Sequence, residues 1–522
     1  MPMPIMNHSM SRQRQELHPQ TQASNRSIAP QAERNISRGQ QHENFLGHQI
    51  KICAGPSLPE EIWSHIHSLM PMQDAARVAC VSKAFLHSWR CHPDLSFTEE
   101  TLGLNKNACV TKDETAKIFT SRVDHILRKH SGIGIKTFKL NVASVYNLKG
   151  HCHLDRLDWW LQIAIKPGIE EISLSLSLAN AKFNFPHSLL SDGIGDSLRS
   201  LHLTSCNFHP TVGLGCLRSL ASLHLSMVCI TEGELERLLT NSFALERLEL
   251  KYCSEIICLK IPCLPRLSYL EVLICRRLQL IESKASNLSS FRFAGEPHVQ
   301  FSLAETSRIK KLDWLCSGAT FYACTELPIS MPNLETLTIH SRTETVNTPM
   351  VSSKFLHLKL LNIALGGQTY DYFSLVSFFF VAPSLETFIL NVQSIRMGGV
   401  SVFADPSNLR RMAEQRHDRL KRVDIINFSS IKSLVELTCY IVESATSLER
   451  LTLDTTHAQI PQEILKQQNV ASLAIIQASD LRNTISNIHG STDEDAYTIA
   501  EVDELRTQAI NIIDFYCPLE YM

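Results

Sequence analysis

Residues whose types and spacing could bind a metal ion are few in this sequence. The densest group is His-Cys-His at 151–153, but adjacent residues seldom coordinate one ion together, and no C-x-x-C pair occurs in the chain. Cys253, Cys258 and Cys263 recur every five residues, a pattern that fits structural thiols better than metal ligands. We therefore predict no metal site.

The sequence motifs of common active sites are also missing. The glycine pairs at 132/134 and 193/195 lack the third glycine of a dinucleotide-binding loop, and no G-x-x-x-x-G-K-[ST] segment is present to cradle a phosphate. Neither H-E-x-x-H nor G-x-S-x-G occurs, so the sequence supports neither a zinc peptidase nor a serine hydrolase. We expect a non-catalytic protein without a cofactor.

Charge and hydropathy exclude two further classes of protein. The 522 residues carry 50 Lys and Arg against 52 Asp and Glu, a formal charge of −2, so no global basic field attracts nucleic acid. The longest apolar stretch, 373–382, contains two serines and is about half as long as a membrane span of about 20 residues. We expect it to lie in a buried core, and we expect neither nucleic acid nor membrane as a partner.

The N-terminal region is predicted to lack both a targeting signal and a fold. It has no apolar run typical of a secretory signal, so we expect the 16 cysteines to remain thiols in the nucleus or cytoplasm. Residues 1–52 are rich in Gln, Arg, Ser, Asn and His and follow neither a helix nor a strand period. Such a composition buries too little apolar surface to offset chain entropy, which predicts a disordered tail.

A small helical module is predicted to follow this tail. Ile62, Ile66 and Leu69 recur at helical spacing on one face, in a helix that Pro59 can begin and Pro71 ends. A third short helix is predicted to have Ser82 as its N-cap and to carry Phe85, Leu86 and Trp89.

A repeated L-x-x-L-x-L unit dominates the chain beyond residue 130. From Leu198 to Leu358 its first positions lie 21 to 25 residues apart, which is typical of leucine-rich repeats. About thirteen strands at roughly 4.8 Å spacing would trace an arc of about 60 Å, enough for a protein-sized partner. The first positions are Ile135, Ile169, Leu198, Leu220, Leu245, Leu267, Leu288, Ile309, Leu334, Leu358, Leu385, Leu420 and Leu448.

Other positions of the repeat carry structural predictions of their own. The ninth position usually holds Asn or Cys, which can bond to the turning backbone, and Cys206, Cys253 and Cys275 occupy it. The return segments should lie on the convex side, and the periodicity of 433–445 predicts a helix there. Residues 398–408 are predicted to form an insertion loop.

The third, fifth and seventh positions are predicted to face solvent on the concave side, because the apolar positions point inward. They include Ser200, His202, Thr204, Arg247, Glu249, Lys251, Tyr269, Glu271, Ser290, Arg292, Lys311, Asp313, Thr336, Thr338, His340 and Asn362. This stripe is mixed in charge and indicates neither a nucleic acid nor a single acidic ligand. For any one residue a solvated strand face is the simpler interpretation. The substrate-binding candidates are His202, Arg247, Glu249, Tyr269, Glu271, Arg292, Asp313 and Thr338.

The helical module resembles an F-box. The resemblance rests on Leu-Pro-Glu-Glu-Ile at 58–62, Met-Pro at 70–71, Asp-Ala-Ala-Arg at 74–77 and Cys-Val-Ser-Lys-Ala-Phe at 80–85. With the repeats that follow, the chain resembles plant F-box proteins with leucine-rich repeats. Residues 420–456 further resemble the FBD-type region of many such chains. One departure is the Ala-Ala pair after Asp74, where many F-boxes outside this plant group carry a leucine.

This resemblance implies that the F-box binds the Skp-type adaptor of a cullin-based SCF ubiquitin ligase, while the repeats bind a protein substrate. A module of about 40 residues also has too little interior to bury all its apolar side chains, so some should dock on a partner or on the first repeat. Ile66, Leu69 and Trp89 should serve the fold of the module as well. The predicted adaptor contacts are Leu58, Pro59, Ile62, Ile66, Val78, Val81, Ser82 and Trp89.

The predicted fold class is α/β, with a three-helix F-box followed by a leucine-rich-repeat solenoid whose curved parallel sheet has helices and loops on its convex side. A C-terminal helix should seal the last repeat. The predicted segments are a disordered tail at 1–52, the F-box at 53–98, linker helices at 99–134, repeats at 135–480 with an FBD-like region at about 409–457, and a capping segment at 481–522.

Two functions remain open beside substrate recruitment. The chain could be a leucine-rich-repeat interaction scaffold that is not coupled to a ligase, which the Ala-Ala departure at 75–76 would favour. It could also be a small-molecule co-receptor, which would need a polar pocket on the rim of the array. The dispersed Arg292, Lys311, Arg422 and Arg450 do not predict such a pocket.

Overall fold

The structure is a computed structural model, and the described residues fall within one compact unit, Leu58–Met522. Predictions for the N-terminal tail, the 398–408 insertion, the His-Cys-His group and the C-terminal helix lie outside the described residues. The structure describes residues 59–81, 83–104, 111–143, 154–177, 183–191, 193–210, 217–303, 308–341, 344, 346–366, 370–393, 409–410, 412, 415–429 and 431–454, and the backbone of 473–477.

Three short helices open the described chain. Pro59 and Pro71 are the N-caps of the first two, where a fixed φ and a missing N–H cost no intrahelical bond. The predicted helix between these two prolines is confirmed, and so is the third helix, while its predicted N-cap Ser82 lies outside the described residues. The helices are α1 (Glu60–Ser68), α2 (Met72–Ala79) and α3 (Lys83–Trp89).

A single 15-stranded sheet runs through the rest of the structure, and all its neighbours pair in parallel except the last two. Three further strands form a second parallel sheet in the order β11 (Gln300–Leu303), β9 (Leu280–Ser283) and β7 (Cys258–Ile261). The main sheet consists, in order, of β1 (Asp94–Phe97), β2 (Thr137–Asn141), β3 (Glu171–Ser175), β4 (Ser200–Thr204), β5 (Ser222–Ser226), β6 (Arg247–Lys251), β8 (Tyr269–Leu273), β10 (Ser290–Ala294), β12 (Lys311–Leu315), β13 (Thr336–Ser341), β14 (Leu360–Gly366), β15 (Thr387–Gln393), β16 (Arg422–Ile426), β17 (Arg450–Asp454) and β18 (Leu473–Gln477).

The repeat pattern places these strands. Each predicted first position lies two residues before a strand, so the thirteen units correspond to thirteen consecutive strands of the main sheet, from β2 to β17. Positions four and six point into the core: Leu248 and Leu250 of β6, like Leu223 and Leu225 of β5, have no exposed surface. The polar positions between them necessarily lie on the opposite face. The predicted α/β solenoid is confirmed.

The return segments of the array take two main forms. Where first positions lie 21 or 22 residues apart, from Leu245 to Ile309, the return is a strand: β7 (Cys258–Ile261), β9 (Leu280–Ser283) or β11 (Gln300–Leu303). Spacings of 25 residues instead leave room for helices. Sequence analysis did not predict this second sheet. The helices after the module are α4 (Lys112–Lys129), α5 (Leu154–Ala164), α6 (Glu232–Thr240), α7 (Ala319–Thr325), α8 (Leu327–Ser330), α9 (Val376–Val381) and α10 (Lys432–Ser444).

The second sheet reduces curvature in the middle of the array. Stacked strands lie about 4.8 Å apart, whereas packed helices lie about 8–10 Å apart, so a solenoid bends when only its convex side is helical. Between β6 and β12 both sides are strands at the same spacing. We therefore expect the concave face to curve less across β6, β8, β10 and β12 than where helices form the return side.

Both ends of the sheet differ from the sequence prediction. β1 directly follows the helical module and pairs in parallel with β2, although no strand was predicted there. β18 pairs antiparallel with β17 and ends the sheet. The sheet therefore begins within residues assigned to the F-box resemblance, which fixes the module to the array through the backbone.

The ninth position behaves as predicted at its cysteines. Cys206, Cys253 and Cys275 are buried, and Cys253 Sγ lies 3.6 Å from the carbonyl oxygens of Leu225 and Lys251. The residue before each of these cysteines has a positive φ, of 57° at Ser205, 55° at Tyr252 and 54° at Ile274. A left-handed turn thus ends each of these strands, and a β-branched isoleucine adopts it only at a cost in strain.

Two predicted elements on the return side are confirmed. The apolar stretch 373–382 lies in the core, where Phe378 and Phe379 of α9 are buried. The helix predicted within 433–445 is α10, which buries Leu434, Leu437 and Ile441. No helix among the described ranges is both long and apolar enough to cross a bilayer.

Candidate functional site

The helical module packs its interior around aromatic rings. The rings of Trp63 and Phe85 meet edge to face at 5.6 Å between centroids, and the His67 ring stacks on Phe85 at 5.9 Å. His67 Nε2 lies 3.0 Å from the carbonyl oxygen of Ala75, so this nitrogen carries the proton and donates it. Burial lowers the pKa of His67. A neutral histidine therefore connects α1 to α2.

Large apolar side chains of the module are also open to solvent, and Leu69, which was expected to serve the fold of the module as well, is one of them. These side chains remain more than a third exposed, although the module lies against a large core. We call this surface the apolar module face. It consists of Ile62 at 45% exposure, Ile66 at 39%, Leu69 at 72%, Val81 at 84% and Leu86 at 41%.

The predicted adaptor contacts fall into three groups. Pro59, Ile62, Ile66 and Val81 are exposed. Val78 is half-buried, and so is Trp89, whose ring lies 5.7 Å from that of His92 and which packs against the core. Leu58 and Ser82 lie outside the described residues.

A histidine fixes the module to the array. The buried His92 lies between α3 and β1, and its Nε2 is 3.2 Å from the carbonyl oxygen of Met70. His130, at the end of α4, places its Nε2 3.0 Å from the carbonyl oxygen of His92. Sequence analysis missed His67 and His92, because nothing in their spacing marks them as structural.

On the concave side the polar positions align in rows, because the strands pair without a shift. The fifth position of each unit faces the fifth position of the next, which brings His202, His224, Glu249, Glu271 and Arg292 side by side. The row continues through Asp313, Thr338 and Asn362.

Glu249 is the first centre of an ion-pair network on this face. It accepts hydrogen bonds from Arg247 Nη2 at 3.0 Å, Lys251 Nζ at 3.1 Å and His224 Nδ1 at 2.8 Å. Burial alone would raise the pKa of Glu249, but these three donors outweigh it and lower the pKa to about 2. The carboxylate is therefore ionised at any physiological pH.

Glu271 is the second centre, and it is almost completely covered, with 2% of its surface exposed. Lys251 Nζ lies 2.8 Å from Oε1, Arg292 Nη1 lies 3.5 Å from Oε2, and the Tyr269 hydroxyl donates to Oε2. Burial would raise the pKa of Glu271, but its donors lower it overall. Lys251 thus bridges both carboxylates, and its own pKa is raised despite burial.

The network extends by two further contacts. Arg292 Nε lies 3.9 Å from Asp313 Oδ2, a distance at which the charges attract without a hydrogen bond. The Arg247 guanidinium lies over the Tyr269 ring at 4.1 Å from its centroid. We call this group the concave charge cluster. It comprises Arg247, Glu249, Lys251, Tyr269, Glu271, Arg292 and Asp313, with His224 at one end.

Comparison with known proteins agrees with both halves of the structure. Residues 56–95 match the F-box domain, and residues 126–489 match the family described as At1g61320/AtMIF1, LRR domain, which covers well over half the chain. The chain belongs to the F-box proteins with leucine-rich repeats. The resemblance noted from the sequence is confirmed.

Curated relatives carry the same architecture in their names. The chain is 28% identical over 200 residues to the F-box/FBD/LRR-repeat protein At1g13570 of Arabidopsis thaliana. The matched segment covers 38% of this chain and 44% of the relative. It is 27% identical over 219 residues to the F-box/LRR-repeat protein At5g02910 of the same plant, covering 41% and 42%. The matches thus span less than half the length of these relatives.

Most of the substrate-binding candidates come together. Arg247, Glu249, Tyr269, Glu271, Arg292 and Asp313 form the concave charge cluster, as described above. His202 extends it, since its ring centroid lies 3.9 Å from that of His224. Burial is the main cause that lowers the pKa of His202 to about 4, and the neighbouring His224 is the second. The His202 ring is therefore neutral at pH 7. Thr338 lies next to Asp313 in register, at the margin of the cluster.

Two details differ from the expected solvated stripe. Glu271 faces the concave side but lies beneath Lys251 and Arg292, so solvent hardly reaches it. His224 was missed as a candidate, although it occupies the same fifth position as His202 and the repeat register could have identified it. No group of His, Cys, Asp and Glu able to hold a metal ion occurs within the described ranges.

Proposed function

We propose that this chain is the substrate-recognition subunit of an SCF-type cullin ubiquitin ligase, without catalytic activity of its own. The F-box module would bind the Skp-type adaptor, and the repeats would hold a protein substrate near the ubiquitin donor. Such a subunit accelerates transfer by raising the effective concentration of the substrate. We place this activity in the nucleus or cytoplasm.

The apolar module face carries the adaptor half of this proposal. Ile62, Leu69 and Val81 are exposed even though the core of the array lies close by, so they do not serve the fold of this chain. Exposed apolar residues that cluster on one small module are typical of a protein-binding surface. His67 and His92 connect the same helices through the carbonyl oxygens of Ala75 and Met70.

The alternative is an interaction scaffold that is not coupled to a ligase. The Ala-Ala pair that motivated it has a local structural role, since Ala75 has no exposed surface and its carbonyl oxygen accepts from His67. A leucine at position 75 would have to displace this packing. The departure from other F-boxes therefore reflects the packing of α2 on α1 as much as any change of partner.

Co-purification with a Skp-type adaptor tests the proposal. The full chain and the adaptor are expressed together, and the chain carries either the native sequence or Ile62→Asp/Val81→Asp. Both positions are exposed, so the substitutions should leave folding intact, while placing charge in the interface should weaken adaptor binding roughly 30-fold or more. Titration calorimetry or surface plasmon resonance measures the affinity.

A matched control uses the same helix. Ser64→Asp adds one negative charge, half of that in the double variant, at an exposed position of α1 on the opposite side from Ile62 and Ile66, and it should bind the adaptor like the native chain. Absence of adaptor binding by the native chain would favour the scaffold. Equal binding by both variants and the native chain would place the adaptor elsewhere on the protein.

A further inference from the structure

Depth separates most charges of the concave charge cluster, while Lys251 and Asp313 lie between the extremes with 25% and 24% of their side chains exposed. The carboxylates lie low, with 16% of the Glu249 side chain and 3% of the Glu271 side chain exposed. The guanidinium groups lie above them, with 51% of the Arg247 side chain and 40% of the Arg292 side chain exposed. An approaching molecule therefore meets positive charge first, although the cluster contains both signs.

The net charge of this surface is also positive. Four cationic side chains, Arg247, Lys251, Arg292 and the adjacent exposed Lys311, face three carboxylates, Glu249, Glu271 and Asp313, which leaves one positive charge in excess. The cluster spans β6 to β12, the strands backed by the second sheet, and we call the concave surface of these strands the platform.

The cations are held in place before any partner arrives. Arg247 is fixed between Glu249 and the Tyr269 ring, and Arg292 is fixed between Glu271 and Asp313. Charge-assisted hydrogen bonds from buried carboxylates restrict side-chain rotation, so less entropy is lost when a ligand binds these guanidinium groups. This arrangement suits recognition of carboxylates, which planar guanidinium groups match in geometry.

An apolar strip borders the cluster along the ends of the same strands. Leu273 of β8 and Leu315 of β12 occupy the same position in their strands as Lys251 in β6. Both leucines are only partly buried. Tyr252 and Ile274, in the left-handed turns that follow β6 and β8, are 49% and 39% exposed. Aromatic and aliphatic side chains beside arginines are the composition of binding hot spots.

We infer that this platform binds an acidic segment of a protein substrate, with Asp or Glu carboxylates on Arg247, Arg292 and Lys311 and a large apolar side chain on the strip of Tyr252, Leu273, Ile274 and Leu315. This inference rests on the proposed function only in calling the bound protein a substrate. The binding surface and its chemistry are independent of the F-box. The mixed charge of the sequence did not reveal it, since depth separates the two signs.

Selection from a displayed library of random 16-residue peptides tests the inference. The full chain is the target, and enriched peptides are synthesised with a fluorophore and titrated against the native chain and against Arg247→Ser/Arg292→Ser. The variant should fold, because Lys251 and His224 still contact Glu249, and Lys251 and Tyr269 still contact Glu271. Thermal unfolding of the variant checks this.

We expect the enriched peptides to be rich in Asp and Glu and to contain a large apolar residue. Their affinity should fall at least tenfold for Arg247→Ser/Arg292→Ser, and it should fall with salt because the contacts are partly exposed. The matched control, Arg276→Ser/Arg277→Ser, removes the same charge from exposed positions outside the cluster and should bind like the native chain. Tyr252→Ser/Ile274→Ser should weaken binding independently.

Three results would overturn the inference: enriched peptides that are neutral or basic, no enrichment of acidic peptides over a blank surface, or equal binding by the native chain and Arg247→Ser/Arg292→Ser. Adaptor binding measured on the same preparations separates this inference from the proposed function. Acidic peptides bound by a chain that fails to bind the adaptor would refute ligase coupling alone.

Discussion

The F-box module and the repeat array differ in how completely they bury their apolar side chains. The module leaves Ile62, Leu69 and Val81 in solvent, while the leucines of β5 and β6 have no exposed surface. A stack of strands has neighbours on both sides of each repeat, whereas three short helices enclose almost no volume. The comparison shows that the array buries these leucines by itself, whereas the apolar module face leaves large side chains exposed in the described part of the chain.

The largest expected contrast is in stability. Leu250→Ala removes a side chain with no exposed surface and should lower the free energy of unfolding by about 3 kcal/mol, since it leaves a cavity in the core. Leu69→Ala, at 72% exposure, should change it by no more than about 0.5 kcal/mol. Urea unfolding of the full chain measures both. Equal losses would mean that the apolar module face is packed in solution.

A smaller loss is expected within the concave charge cluster. Lys251→Ala/Arg292→Ala takes both cations from Glu271, leaving a buried carboxylate with only the Tyr269 hydroxyl as donor. The expected loss in the free energy of unfolding is about 2 kcal/mol. Arg276→Ala/Arg277→Ala, the exposed control pair, should lose far less. A neutral outcome for the cluster variant would show that Glu271 is solvated.

The pH dependence of stability sharpens the same contrast. The pKa of Glu249 is about 2 in the folded chain, below its ordinary value of 4.5, so its ion pairs stabilise the fold fully above pH 4.5 and lose that effect as the pH falls towards 2. Glu249→Gln lacks this contribution. Its stability deficit against the native chain should therefore shrink between pH 6 and pH 3 in urea titrations, and a constant deficit would contradict the assignment.

The smallest effect is expected at the exposed rim of the array. Lys310 and Glu335 occupy the second position of adjacent repeats, with Nζ and Oε1 2.9 Å apart, and the two side chains are 64% and 41% exposed. Such pairs contribute little to stability because solvent screens them. Lys310→Ala should leave the urea midpoint nearly unchanged. A loss comparable to that of the cluster variant would show that depth does not govern these ion pairs.

The strand positions could be predicted from the sequence because they follow from periodicity. Thirteen strands begin where the repeat places them, since burial of positions four and six leaves only one register. β1 could not be predicted in this way, because Leu95 and Phe97 form a single apolar pair without a repeat before them. The second sheet was missed for a related reason: spacing alone gives the length of a return segment and not its conformation.

The candidate surfaces could be predicted only by position. The repeat register identified the residues of the concave charge cluster, but the sequence gives no information about depth, so Glu271 was expected in solvent and the outward order of the cations was not foreseen. The resemblance to an F-box predicted Ile62 and Val81 as adaptor contacts, and their exposure could be read only from the structure. The roles of His67 and His92 could not be predicted from the sequence, because their partners are backbone carbonyl groups, which every residue has.

Hydrogen–deuterium exchange of the full chain, alone and with a saturating Skp-type adaptor, tests the division of labour most directly. We predict slower exchange in peptides covering residues 59–81 and unchanged exchange in peptides covering β6, β8 and β10. Unchanged exchange at 59–81, or slower exchange across the concave strands, would contradict the assignment of the adaptor to the apolar module face.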